Sequence, residues 1–209
     1  EEYREACRKS TEDPEAFWAE IAEHFQWMKK WDSVLSWDFD GPDVRWFNDA
    51  KLNITENCLD RHLEERSDEL ALIWEPNEPS EDSIQFTYGQ LHEEVCRYAN
   101  VLKKNGVNKG DRVAIYLPMI PDLAIAALAC ARIGAVHSIV FAGFSAQALA
   151  DRVNDAQASA VLTSDGMYRG NKKLPVKAIV DEALEHCPSV HTVLASKRTE
   201  EQVPMQSER

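Results

Sequence analysis

The sequence lacks the features that mark several common classes of protein. It has no C-x-x-C pair, and its five cysteines in 209 residues are odd in number and widely spaced. This pattern favours reduced thiols in a cytoplasmic protein over a disulfide framework. The longest apolar stretch, residues 123–130, is too short to span a membrane, and the charged start does not resemble a signal peptide. No histidine has cysteines or carboxylates at metal-ligand spacing, so no metal site is expected.

Positive charge is also scarce. The chain has 23 Lys and Arg against 36 Asp and Glu, which gives a formal net charge of -13. Non-specific nucleic-acid binding depends on Lys and Arg against phosphates, so nucleic-acid partners are not expected. The acidity is typical of a soluble surface. The G-x-x-x-x-G-K-[ST], G-x-G-x-x-G and G-x-S-x-G motifs are all missing, which removes the simplest sequence arguments for nucleotide binding or a serine nucleophile.

The most informative segment present is VHSIVFAGFSAQALAD, residues 136–151. Val136 to Phe141 reads as a buried strand that breaks at Ala142-Gly143, and Ser145 can cap a helix starting at Ala146. In open α/β sheets ligands bind at such strand-turn-helix junctions, and a helix start favours anions. Small residues at such a turn also serve close packing alone, so both interpretations stay open here.

Strands and helices alternate along most of the chain. Strands are predicted over 70–74, 84–87, 113–117, 136–141, 160–163 and 190–195, and helices over 54–66, 88–105, 122–133, 146–155 and 175–186. Thr87 with Gln90 fits a capping box, Gly106 and Gly134 end helices, and Thr55 is the expected cap of the helix over 54–66. This alternation predicts an α/β fold with a parallel β-sheet and flanking helices.

The ends of the chain differ from its middle. We expect a helical, Trp-rich N-terminal segment over 1–57, with a helix that starts at Pro14, then an α/β subdomain over 58–197 and a disordered tail over 198–209. The tryptophans at positions 27, 31, 37 and 46 follow in a less regular segment. They either pin this segment onto a core or form a binding surface.

A basic loop follows the strand predicted over 160–163. Its sequence, SDGMYRGNKK over residues 164–173, brings Arg169, Lys172 and Lys173 into an otherwise acidic chain. Cations at the carboxyl end of a parallel strand are well placed to bind a phosphate. A solvated loop with ordinary surface charges is the alternative.

Several blocks together resemble the acetyl-CoA synthetases of the acyl-adenylate-forming superfamily. Besides the segments 136–151 and 164–170, they are KLNITENCLDRH (51–62), ALIWE (71–75), VNKGDRVAIYLPMIP (107–121) and ACARIGAVH (129–137). The resemblance runs from about residue 15 to Thr199, and the order and density of the blocks make it specific. It implies the N-terminal part of that enzyme fold.

The resemblance implies an AMP-forming ligase that converts acetate, ATP and CoA to acetyl-CoA, AMP and pyrophosphate through acetyl-adenylate, with Mg²⁺. By resemblance Arg169 and Lys172 hold the 3′-phosphate of CoA, and Phe141, Ala142 and Gly143 line the path of its adenine and pantetheine. The family more often has Gly at 142 and often Arg at 172, so the Ala142 methyl is expected to crowd CoA slightly.

The family's phosphate loop, carboxylate pocket and catalytic lysine find no match in the 209 residues. No catalytic residue is therefore assigned, and the chain is expected to be an N-terminal fragment that is inactive alone and carries part of the CoA site. A propionyl-CoA synthetase fragment and a standalone CoA- or nucleotide-binding module are the alternatives. An interaction domain that self-associates through exposed sheet edges is a third.

Overall fold

The computed structural model describes residues 1–206, so the last three residues of the predicted tail, 207–209, lie outside the described residues. The chain divides into two compact units, Glu1–Arg61 and a second that starts at His62. The boundaries predicted at 57/58 and 197/198 stay predictions. Within residues 1–206, no helix is both long and apolar enough to cross a membrane.

The first unit combines helices with a β-hairpin. Its elements are α1 (Glu2–Glu12), α2 (Pro14–Ala22), β1 (Ser33–Asp38), β2 (Asp43–Asn48) and α3 (Ile54–Cys58). The predicted start of α2 is confirmed: Pro14 occupies its first turn, and the Asp13 carboxylate accepts the Ala16 N–H at 3.0 Å. The antiparallel pairing of β1 with β2 is new relative to the sequence analysis, which expected irregular chain here.

Aromatic side chains form the contacts of this hairpin. The rings of Trp27, Trp31 and Phe47 lie 5.2 to 5.4 Å apart, and Trp46 lies 6.0 Å from Phe47. Such tilted and edge-on contacts stabilise a segment that has little other apolar material. At the hairpin tip Trp37 and Phe39 stay largely exposed, in edge-on contact with each other.

The single helix predicted over 54–66 is wrong. The segment forms α3, a 3-10 turn at Asp60–His62 and α4 (Leu63–Arg66). The cap is Asn53, not Thr55, because the Asn53 side chain accepts the Thr55 N–H at 3.0 Å. Leu59, at φ −126°, leaves the helical conformation and ends α3, and its side chain is only 2% exposed.

The second unit is an α/β structure, as predicted. After α4 its elements are β3 (Leu70–Trp74), β4 (Ile84–Thr87), α5 (Tyr88–Lys104), β5 (Arg112–Ile115), α6 (Pro121–Ile133), β6 (Val136–Ile139), α7 (Ala146–Ala156), β7 (Ala160–Ser164), β8 (Met167–Arg169), β9 (Lys172–Leu174), α8 (Val176–Leu184) and β10 (Thr192–Ser196). Four strands form a parallel sheet in the order β10-β7-β5-β6. Two antiparallel pairs, β3 with β4 and β8 with β9, stand outside it.

Helices cover both faces of the parallel sheet. Ala114 and Tyr116 belong to a buried cluster with side chains of α7 and α8. Because successive side chains of a strand point to opposite faces, Val113 and Ile115 point toward the face on which α6 packs. Every residue of β7 is buried, as is typical of a central parallel strand, whereas β6 lies at an edge of the sheet.

The strand order creates a switch point between β5 and β7. After β5 the chain passes through α6 to β6 on one side, and after β7 it passes through α8 to β10 on the other. The two connections therefore diverge and leave a crevice between neighbouring strands at their carboxyl ends. Open α/β sheets bind ligands at this position.

The helix signals read from the sequence are confirmed. The Thr87 hydroxyl accepts the Gln90 N–H at 3.3 Å, and the Gln90 side chain accepts the Thr87 N–H at 2.9 Å. Gly134 ends α6 with φ +75°. The Ser145 hydroxyl caps α7 by accepting the Ala148 N–H at 3.3 Å.

Replacing Thr87 tests the contribution of the capping box. We expect Thr87→Ala to lower the free energy of unfolding by about 1 kcal/mol, because the Gln90 N–H loses its acceptor at the start of α5. Urea denaturation followed by circular dichroism measures the change. Ser83→Ala, at an exposed position just before β4, is the matched control. An equal effect of the two substitutions would contradict the assignment.

Candidate ligand-binding cleft

A cleft of about 730 Å³ opens at the carboxyl end of the parallel sheet, at the switch point. Four segments and two separate side chains form its walls. They are the end of β3 with the following loop (residues 74–77), the turn after β5 (117–120), the end of β6 with its turn (139–143), the strand β8 with Gly170, and the side chains of Leu123 and Arg198.

The structure brings four of the five predicted site residues together. Phe141, Ala142, Gly143 and Arg169 all line the cleft. Lys172 does not line it, but it is directly opposite Arg169 across the β8–β9 hairpin and is exposed. The ligand contacts assigned to these five residues stay predictions.

A hydrogen bond from a buried tyrosine anchors the turn after β6. Tyr116, fully buried in the core, donates a hydrogen bond from its hydroxyl to the Phe144 carbonyl at 2.6 Å. Burial raises the pKa of Tyr116, so the hydroxyl keeps its proton for this bond. The turn is therefore anchored to the sheet at the point where α7 begins.

Phe141 and Gly143 lie in close contact in this turn. The Phe141 ring, 67% exposed, lies over Gly143: a Cβ built on Gly143 would be 2.4 Å from the Cε1 atom of Phe141. Glycine lets the ring lie this close to the backbone, and a larger residue at 143 would displace the exposed ring; no positive φ is involved. The ring of Phe144 meets that of Phe141 edge-on at 5.8 Å, which extends the aromatic surface at this end of the cleft.

The methyl group of Ala142 points away from the cleft. Ala142 is 2% exposed and belongs to the buried cluster beneath α7 and α8. The expectation that this methyl crowds a ligand in the cleft is therefore not supported. What Ala142 presents to the cleft is its backbone.

The basic segment after β7 is a hairpin, although a loop was expected. β8 and β9 pair around Gly170 and Asn171, and Gly170 has φ +57° at the first central position of the turn. A glycine first is typical of a type II′ turn. Among residues 1–206, Arg169 and Lys172 make no ion pair, whereas the Lys173 ammonium contacts the Glu201 carboxylate at 2.9 Å.

Arg198 is the principal cleft residue that the sequence analysis missed. Its guanidinium lies 5.2 Å from the ring centroid of Trp74 and 4.9 Å from that of Tyr168. Both of its terminal nitrogens bond to Glu81, at 2.6 and 2.7 Å. A planar, delocalised cation suits stacking and bidentate pairing together. Arg198 therefore joins β3, the loop after it and the β8–β9 hairpin into one wall.

Asp165, the residue after β7, holds Arg198 in place. Its carboxylate accepts backbone N–H groups of Gly166, Arg198, Thr199 and Glu201 at 2.7 to 3.2 Å. Burial acts to raise the pKa of Asp165, but these four donors outweigh it and hold the pKa below its ordinary value. Residues 198–201, part of the segment expected to be disordered, are thereby fixed to the end of β7.

The described residues include no candidate metal centre. Across residues 1–206, no group of three or more His, Cys, Asp or Glu side chains is arranged to hold a metal ion. His137 lies exposed on β6.

Comparison with known proteins identifies the family. Residues 59–209 match a family described as AMP-binding enzyme. The chain belongs to the AMP-binding enzyme family. Residues 3–58 match a second family, described as acetyl-coenzyme A synthetase N-terminus.

Individual relatives support this family assignment. The chain is 54% identical over 199 residues to the acetyl-coenzyme A synthetase of Novosphingobium aromaticivorans, which covers 94% of this chain and 31% of the relative. It is 54% identical over 200 residues to that of Halorhodospira halophila, with 95% and 31% covered. The solved acetoacetyl-CoA synthetase from Streptomyces lividans matches with a TM-score of 0.86 at 29% identity, over 94% of this chain and 30% of that one. The chain thus spans about a third of the length of these AMP-binding relatives.

Replacing Asp165 tests its role as the anchor of this cleft. We expect Asp165→Asn to lower the free energy of unfolding at pH 7 by about 2 kcal/mol, since the buried amide cannot replace a charged acceptor of four N–H groups. Asp155→Asn, at an exposed position, is the control.

The same substitution predicts a pH dependence. Because the folded-state pKa of Asp165 is below its unfolded value of about 3.9, the carboxylate stabilises the fold above that pH and loses its effect as the pH falls through the folded-state pKa. The gap in stability between wild type and Asp165→Asn should therefore narrow below about pH 4. Urea denaturation at pH 7 and pH 3.5 measures the gap, and a constant gap would refute the assignment.

Proposed function

We propose that the chain is the N-terminal part of an AMP-forming acetate–CoA ligase. The whole enzyme would convert acetate, ATP and CoA to acetyl-CoA, AMP and pyrophosphate through acetyl-adenylate, with Mg²⁺. The observation that carries the proposal is the cleft: its residues from 139–143 and 167–170 belong to the segments that resemble acetyl-CoA synthetases, and they meet at one switch point. The names of the relatives support the same reaction.

Within this reaction the described cleft would bind CoA. Arg169 lines the cleft, Lys172 is opposite it, and neither makes an ion pair with another side chain of residues 1–206. A pair of available cations suits a phosphate, and the 3′-phosphate of CoA is the proposed partner. Phe141 and the backbone of Ala142 and Gly143 would then line the path of the adenine and pantetheine.

Lys172 contributes charge but little geometry to this site. An ammonium on a flexible stem is a point charge, whereas the guanidinium of Arg169 offers a planar fork of donors. The hairpin register holds Lys172 beside Arg169. We therefore assign the directional hydrogen bonds to Arg169 and a supporting electrostatic contact to Lys172.

Titration with CoA and dephospho-CoA tests the CoA site. We expect the 209-residue chain to bind CoA weakly, since an open cleft buries little of the ligand, and dephospho-CoA roughly tenfold more weakly because it lacks the 3′-phosphate. Calorimetry at low salt measures both. Arg169→Gln should remove the discrimination between the two ligands. Lys197→Gln, an exposed cation outside the cleft, should preserve it, and equal affinities for wild type would contradict the proposed contact.

Activity measurements test the division of labour within the longer enzyme. We expect no acetate-dependent exchange between ATP and pyrophosphate by the 209 residues alone, because the family's phosphate loop and catalytic lysine find no match in this sequence. Exchange that co-purifies with the chain, and that disappears when the chain is removed by an affinity tag, would overturn this prediction.

Two parts of the proposal have alternatives. These residues do not distinguish acetate from propionate, so a propionyl-CoA synthetase fragment remains an alternative. A standalone CoA-binding module would show the same preference for CoA over dephospho-CoA but a higher affinity.

We also propose a cytoplasmic location, in line with the free thiols of Cys7, Cys58 and Cys96. Self-association stays a prediction, favoured by the exposed Val136 and Ile139 on the edge strand β6.

A further inference from the structure

A second concave site lies at the opposite end of the parallel sheet from the cleft. It has a volume of about 400 Å³ and is formed by the last turns of α5 and α6 and by the loop that follows α5. Because α5 leads into β5 and α6 leads into β6, both helices end beside the amino ends of their strands. We call this site the amino-end pocket. Its lining residues are Cys96, Ala99, Asn100, Lys103, Val107, Asn108, Lys109, Arg132 and Ile133.

The charge of the amino-end pocket is opposite to that of the whole chain. Lys103, Lys109 and Arg132 line it, and none of its lining residues is acidic, whereas the chain as a whole has a net charge of -13. Asp111, in the adjoining loop, accepts the Asn108 N–H at 2.7 Å and lies outside the lining. Three cations are thus gathered around one concavity in an otherwise acidic protein.

Packing restrains two of these cations. The Lys109 stem lies against Gly134, where an added Cβ would be 2.9 Å from the Cγ atom of Lys109. The Arg132 guanidinium contacts the His92 ring at 3.0 Å. Within residues 1–206, neither Lys103 nor Lys109 makes an ion pair with a carboxylate. The two ammonium groups are therefore available to a ligand.

Helix ends alone do not account for this arrangement. The C-terminus of a helix carries partial negative charge and favours a nearby Lys or Arg. The carbonyls at these two ends, however, already accept backbone N–H groups: Leu102 from Val107 at 3.0 Å, Cys130 from Ala135 at 2.9 Å, and Gly134 from Gly110 at 2.9 Å. These satisfied carbonyls therefore do not account for the ammonium groups of Lys103 and Lys109, which line the same pocket.

We propose that the amino-end pocket binds the diphosphate group of a small anion. The ammonium groups of Lys103 and Lys109 are side chains that recognise phosphate oxygens, and the Asn100 amide adds a neutral donor. The Arg132 guanidinium, which already contacts His92, adds positive charge to the lining. The buried Ala99 and Val107 in the lining limit access of water from one side. The volume suits a diphosphate or a nucleoside diphosphate and excludes a polymer as a fully enclosed ligand. This site is independent of the proposed CoA cleft, since it lies at the other end of the strands.

Cys96 provides a local probe for the test. It lines the pocket and is half-buried, whereas Cys7 and Cys58 are exposed elsewhere and serve as internal controls. The 209-residue chain is treated with iodoacetamide at low salt, with increasing inorganic pyrophosphate in one series and ADP in another. Mass spectrometry follows the alkylation rate at each cysteine, and each series yields an apparent dissociation constant from the protection of Cys96.

We expect either diphosphate to slow alkylation of Cys96 but not of Cys7 or Cys58. The double variant Lys103→Gln, Lys109→Gln should weaken this protection roughly tenfold. Lys104→Gln, which removes an exposed lysine next to the pocket but outside its lining, should leave it unchanged. ADP stronger than pyrophosphate would identify a nucleotide as the ligand, and equal potency would identify the diphosphate group itself.

Three results would overturn the proposal. They are absence of protection at millimolar diphosphate, equal protection of all three cysteines, and equal effects of the double variant and Lys104→Gln. Thermal unfolding of each variant, followed by circular dichroism, verifies that the substitutions leave the fold intact. Because the readout is at Cys96, failure here would leave the CoA titration at the cleft unaffected, and the reverse also holds.

Discussion

In the second unit, the structure at the carboxyl ends of the parallel strands depends on one buried carboxylate. Asp165 is 4% exposed, and a charge at such a position is costly unless hydrogen bonds replace its hydration. Four backbone N–H groups supply that replacement, three of them from residues 198–201. The end of β7 and the segment after β10 are thus interdependent. Arg198 projects from this junction, and its contacts with Trp74, Tyr168 and Glu81 extend the same constraint to a whole wall of the cleft.

Much of the second unit could be predicted from the sequence because its signals are local. The capping box of α5, the glycine that ends α6 and the serine that begins α7 each act within a few residues, and each is found in the structure. Apolar runs bounded by such signals identify the buried strands. The turn at residues 141–143 was found in the same way. The positive charge of the loop over 164–173 pointed to Arg169, and the family resemblance assigned this residue to the 3′-phosphate of CoA. The parallel sheet then follows from the alternation of strands and helices.

The features that escaped prediction are those that no local sequence pattern reveals. Arg198 pairs with Glu81, which lies 117 residues earlier in the sequence, and nothing in the sequence around either residue predicts this ion pair. The short strands β8 and β9 have three residues each, too few for an alternation to be visible. The hairpin β1–β2 is held by aromatic contacts that also involve Trp27 and Trp31, outside its strands. The helical spacing of apolar residues continues through Leu59, so it does not reveal the break in the backbone there.

The contact between Phe141 and Gly143 has a consequence for how this turn can evolve. A ring that rests on a glycine makes the two positions interdependent: a side chain at 143 is compatible with the turn only if the ring at 141 swings away or is lost. Tolerance at one site is therefore conditional on the residue at the other. A side chain at 143 would therefore also change the aromatic surface at this end of the cleft, because it would displace the exposed ring of Phe141 that forms part of that surface.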